Sequence, residues 1–161
     1  PPPPPPLFFT PHTRQPPILS GLVGSEMCIR DRIHSVDSLR LLDQINKESI
    51  KKKIKTDILI QVKISKDVSK YGFLTNELDN VFKNYLSNKY RNINILGLMG
   101  MATFTDNISQ IESEFSLLST LYNKYSKMTN LKYLSMGMSG DYLLALKYNS
   151  NMIRLGSAIF N

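Results

Sequence analysis

Apolar and polar positions alternate along residues 57–64, where Ile58, Ile60, Val62 and Ile64 share one face and Leu59, Gln61 and Lys63 the other. A period of two predicts a half-buried strand. After a loop through Gly72, Leu78, Val81, Phe82, Tyr85 and Leu86 recur at helical spacing, one apolar stripe that predicts a helix. The same order of strand then helix repeats along the chain. Residues 33–36 form a short apolar strand, followed by Asp37 or Ser38 as the cap of a helix bearing Leu39, Leu41, Leu42 and Ile45. Residues 93–99 read as the next strand, opening into the segment 100–106, and Ile108, Ile111, Phe115, Leu118 and Tyr122 mark a long amphipathic helix. Glu112 and Glu114 sit in its N-terminal half and Lys124 and Lys127 near its end, as the helix dipole favours. Residues 132–136 give a fourth strand, 141–148 a short helix, and 152–155 a fifth strand.

Strand followed by helix, repeated, predicts parallel pairing and an α/β fold. Two architectures satisfy that pattern: a doubly wound sheet, or a section of a (β/α)₈ barrel. The polar members of the strand at 57–64 lean toward the barrel, because a sheet covered on both faces tolerates Gln61 and Lys63 less well.

Composition divides the chain. All nine prolines fall in the first 17 residues, and the remaining 144 hold none. The run Pro1 to Pro6 favours extended polyproline II, compatible with a disordered tail or an SH3-type ligand. Residues 20–32, SGLVGSEMCIRDR, resemble adaptor or vector sequence read in frame ahead of unrelated proteins. The stretch 1–32 is therefore expected to be a non-native or disordered head, with the folded part at 33–161. Cys28, the only cysteine, lies in this head, which excludes a disulfide framework. The formal charge is +7, of which +6 belongs to 33–161; its one dense basic run is Lys51, Lys52, Lys53 and Lys55, read as a solvated helix end and not a nucleic-acid surface. No apolar stretch approaches the roughly 18 residues of a membrane span, and Leu7-Phe8-Phe9 is too short for a signal segment. A cytoplasmic protein with no nucleic-acid or membrane partner is expected.

Gly97, Gly100, Gly137, Gly140 and Gly156 lie at or just beyond the predicted strand ends, the edge where α/β folds carry their sites. The sharpest constellation is Ser135-Met-Gly-Met-Ser-Gly-Asp141 with Arg154-Leu-Gly-Ser157. Glycines let a ligand approach the backbone, free N–H groups at a helix start suit a phosphate, and an arginine adds a fixed positive donor. From these residues alone an ordinary βα turn with a salt-bridging arginine is the preferred reading, because glycine and serine are common turn residues.

Residues 134–141 and 153–160, LSMGMSGD and IRLGSAIF, resemble the C-terminal signature of the pyridoxal phosphate homeostasis proteins (YggS/PROSC type), relatives of the alanine racemase N-terminal barrel. Three further segments match in the same order: Ile33-His-Ser-Val-Asp-Ser38, Ser69-Lys-Tyr-Gly-Phe73 and Gly97-Leu-Met-Gly-Met-Ala102. The resemblance implies a partial (β/α)₈ TIM barrel containing strands four to eight. It implies that Ser139 with its neighbouring amides, Gly156 and Ser157 hold the phosphate of pyridoxal 5'-phosphate, and that Arg154 faces the pyridine nitrogen. An arginine there leaves the nitrogen unprotonated and weakens the ring as an electron sink, which suits a carrier better than an aminotransferase.

The covalent lysine of the family lies on its first strand, and no lysine here matches that position. Lys63 and Lys70 read as structural, as does His34; Met99 and Met101 are expected to pack the barrel mouth. The expectation is a cofactor carrier in pyridoxal phosphate homeostasis, without established turnover, that delivers to cofactor-accepting enzymes. No catalytic residue and no metal site is assigned. The alternative is a fold-type III enzyme such as an amino-acid racemase, whose second β domain and catalytic tyrosine have no counterpart in these residues. Five of eight parallel strands would leave two unpaired edges, so aggregation or a molten state is expected of that section alone.

Overall fold

The computed structural model describes residues 32–67 and 70–160. Of the predicted head only Arg32 falls among them; the proline run and Cys28 lie outside, as does Ser69. Five strands alternate with five helices: β1 (Arg32–Val36), α1 (Leu39–Lys52), β2 (Thr56–Val62), α2 (Leu78–Leu86), β3 (Ile93–Gly100), α3 (Ile108–Ser126), β4 (Tyr133–Met138), α4 (Tyr142–Lys147), β5 (Met152–Arg154) and α5 (Ser157–Phe160). Every neighbouring pair is parallel, and the strands lie side by side in chain order, β1-β2-β3-β4-β5. That order decides between the two architectures. Right-handed crossovers that always step the same way place all their helices on one face and curl the sheet into a barrel section, whereas a doubly wound sheet reverses direction at a switch point.

One hydrophobic cluster joins sheet to helices. Ile58, Ile60 and Val62 of β2 and Leu98 of β3 meet Leu42 and Ile45 of α1, Val81 and Phe82 of α2, and Phe115 and Leu118 of α3. The other face of β2 is covered as well, which corrects the simple alternation. Gln61 is only 5% exposed, and its amide donates to the Tyr71 carbonyl at 2.8 Å. A buried amide is tolerated when its hydrogen bond is made. Gln61, Met99 and Ser135 are register partners in one row across β2, β3 and β4, all three buried. Met99 thus packs within the sheet face, while Met101 beyond the strand is half-buried.

Local chemistry sets the boundaries. Ser38, not Asp37, caps α1, its hydroxyl accepting from the Leu41 N–H at 3.3 Å. Lys53 ends the helix at φ 55°, in the left-handed region, and Lys51 and Lys52 occupy the last turn, where a helix dipole favours cations. The basic run is therefore a helix end. The segment from Lys70 to Phe73 returns along β2: Phe73 N–H donates to the Gln61 carbonyl at 2.8 Å, and Lys63 N–H to the Phe73 carbonyl at 2.9 Å. Gly72 makes this return possible, at φ +144°, where a Cβ would lie 2.6 Å from the Lys63 nitrogen.

Candidate functional site

Three consecutive strands deliver the site at their carboxyl ends. Arg154 closes β5 and reaches back across the sheet: Nη1 donates to the Ser135 hydroxyl at 2.7 Å and the Ser135 carbonyl at 3.2 Å on β4, and Nη2 to the Gly100 carbonyl at 2.9 Å on β3. All three acceptors are neutral. Burial pulls the guanidinium below its ordinary value, against an opposing contribution from the Asp141 carboxylate. It stays cationic, because arginine does not lose its proton in proteins. The result is a fixed cationic fork held by neutral acceptors, with the Asp141 carboxylate within electrostatic reach.

Beside it, the turn after β4 meets the start of α5. Asp141 accepts the Met138 N–H at 2.5 Å and shapes the turn, placing Ser139 so that its hydroxyl accepts from Gly156 N–H at 3.1 Å and Ala158 N–H at 3.3 Å. A Cβ built at Gly140 or at Gly156 meets nothing within 4 Å, so the backbone on both sides of Ser139 borders open space. Amides that converge on one hydroxyl oxygen beside open backbone are donors of the kind that a phosphate can take over. Ser139, Gly156 and Arg154 are thereby brought to one end of the sheet, and Ser157 begins α5 in the same turn.

Residues 17–161 match the family described as alanine racemase, N-terminal domain. The chain belongs to that family. Among its relatives, the pyridoxal phosphate homeostasis protein of Aquifex aeolicus is 32% identical over 130 residues, covering 80% of this chain and 56% of that protein. The chain thus spans about half the length of the curated relatives it matches. Among solved structures, PipY of Synechococcus elongatus without PLP superposes with a TM-score of 0.74 at 25% identity, covering 89% of this chain and 67% of that one. PipY has also been solved with PLP bound. Alanine racemase of Corynebacterium glutamicum, at 13% identity and a TM-score of 0.62 over 86% of this chain and 38% of that one, shares the fold. The family's barrel accounts for the sequential parallel strands, which here make a five-stranded half-barrel.

Two groups central to this geometry lie within the quoted motifs, but the sequence gives neither of them a role toward Arg154. Ser135 is fully buried and holds Arg154, and Gly100 does so through its carbonyl. Only the pairing of β3, β4 and β5 brings them together, across separations of 19 and 54 residues. His34, on β1, lies within electrostatic reach of Arg154; burial chiefly, then Arg32 and Arg154, lowers its pKa. Its imidazole is neutral at pH 7. Among the described residues no His, Cys, Asp and Glu group could hold a metal ion, and no helix is long and apolar enough to cross a membrane.

Proposed function

We propose that this chain is the cofactor-holding part of a pyridoxal 5'-phosphate carrier of the homeostasis type, acting in the cytoplasm and delivering the cofactor to enzymes that depend on it. The observation that carries the reading is the forked Arg154, fixed on Ser135 and Gly100, two residues before the Gly156 amide that meets Ser139. The residues fit the group. Ser139, Gly156, Ser157 and the amide of Ala158 would hold the phosphate, and Arg154 would face the ring nitrogen. When bound, pyridoxal phosphate supplies an aldehyde that reacts with amines and a ring that withdraws electrons. Arg154 can only donate a hydrogen bond, so a ring nitrogen facing it stays unprotonated. That restrains the ring's reactivity, as a carrier requires. Identity of about 30% to proteins named for pyridoxal phosphate homeostasis supports the same assignment.

A titration with pyridoxal 5'-phosphate, followed by the cofactor's absorbance, tests this. The full chain should bind it at least 10-fold more tightly than pyridoxal, which lacks the phosphate, and Arg154→Ala should weaken binding by about 10- to 100-fold, the loss of one charge-assisted contact. A chain that binds inorganic phosphate but takes pyridoxal 5'-phosphate no better would be a phosphate-binding α/β domain of another kind.

A further inference from the structure

Glu114 sits on the buried side of α3, 3% exposed. A carboxylate in such a place is strongly disfavoured unless its oxygens are satisfied. Its partners are all donors, drawn from the loops that follow β2 and β3 and from the first turn of its own helix. Oε2 accepts the Thr103 N–H at 2.6 Å; Oε1 accepts the Thr103 hydroxyl at 2.7 Å, the Gln110 amide at 3.2 Å and the Lys66 N–H at 3.4 Å. Because a carboxylate only accepts, it fixes the direction of every bond behind it. Thr103 gives its proton to Glu114, so Ser65 donates to the Thr103 oxygen across 2.8 Å, and Asp67 N–H donates to Ser65 at 3.0 Å. One buried carboxylate thus terminates a chain of donors that ties two loops together.

Thr103 stands three residues beyond Gly100, whose carbonyl takes one arm of Arg154. We propose that Glu114 is a positioning residue for Arg154: by clamping Thr103 it fixes the exit of β3, and with it the carbonyl that orients the guanidinium. The proposal rests on the pyridoxal phosphate reading above. It also makes a distinction that reading does not, because Glu114 acts on the ring end of the site and leaves the phosphate end at Ser139 and Gly156 alone.

Glu114→Gln keeps the size but sets an NH₂ against at least one of the donors. Hydrogen exchange at the Thr103 amide should accelerate at least 10-fold. Affinity for pyridoxal 5'-phosphate should fall about 10-fold, while inorganic phosphate, titrated by phosphorus NMR, should bind within 2-fold of the unaltered chain. Thr103→Ala, a loop change that removes one donor, should show the same pattern at roughly 3-fold and guards against a Glu114→Gln chain that fails to fold. An equal loss for both ligands would mean general damage and overturn the proposal. So would unchanged affinity for pyridoxal 5'-phosphate despite a freed Thr103. A parent chain that binds phosphate but not pyridoxal 5'-phosphate would sink the function reading itself, and this proposal with it.

Discussion

Arg154 behaves as a fixed, half-buried cationic fork and not as a freely solvated cation, because its hydrogen bonds go to neutral oxygens of the protein. His34 responds to the same field. Burial first, then Arg32 and Arg154, hold its pKa below the ordinary 6.5. As pH falls through about 6.5 the unfolded chain takes up a proton that the folded chain refuses, so stability is full above that pH and declines below it. Melting temperature should drop between pH 7.5 and pH 5.5, and His34→Gln should flatten that slope; an identical slope in the variant would remove His34 from the account. Ser139, Gly156 and Ser157 were legible as a motif, through glycine, hydroxyl and turn chemistry at strand ends. Ser135 and Gly100 as holders of Arg154 were not, since nothing local marks a residue whose partner lies on another strand.

Element existence followed from periodicity. All five strands and the helices α1 to α4 lie where spacing predicts them, with ends moved by one or two residues where caps and ladder pairing decide. Facing was harder to read. In β2 the polar positions lie on the inner face of the half-barrel, where Gln61 is buried and bonded to Tyr71. Glu114, which the pattern reads as an acid suited to the first half of a helix, is buried and bonded to loops. Helical periodicity assigns an acid to the solvent side and has no means of counting donors supplied by distant loops. Gly97 shows the tightest constraint in the sheet: a Cβ there would sit 1.9 Å from the Tyr133 carbonyl oxygen. Because that neighbour is backbone, Gly97→Ala should cost about 3 kcal/mol, at the upper end of overpacking effects, and urea denaturation would measure it. A loss under about 0.5 kcal/mol would mean the two strands can part at no cost.

At the scale of the molecule, the sequential parallel order is what gathers β3, β4 and β5 into one site, and it leaves β1 and β5 paired on one side only among the described residues. Exposed parallel edges recruit further strands. Sedimentation velocity should therefore show the 161-residue chain moving from monomer to larger species as its concentration rises, and a monomer at every concentration would show that something else covers the edges. The choice of barrel over doubly wound sheet could not be read from periodicity, because both share one local pattern and differ only in the direction of successive crossovers.

Two of the three bonds that hold Arg154 end on main-chain carbonyls, those of Ser135 and Gly100. Every amino acid carries that oxygen. Side-chain replacement can remove only the Ser135 hydroxyl, so a mutational scan would report most of this grip as silent. Sequence drift at these positions would be limited by the space for a side chain, at Gly100 by Leu118 and Ile64 within 2.8 Å of any added Cβ, and not by the bond itself. The arginine's orientation is thus encoded in the path of the backbone, where substitution has little purchase.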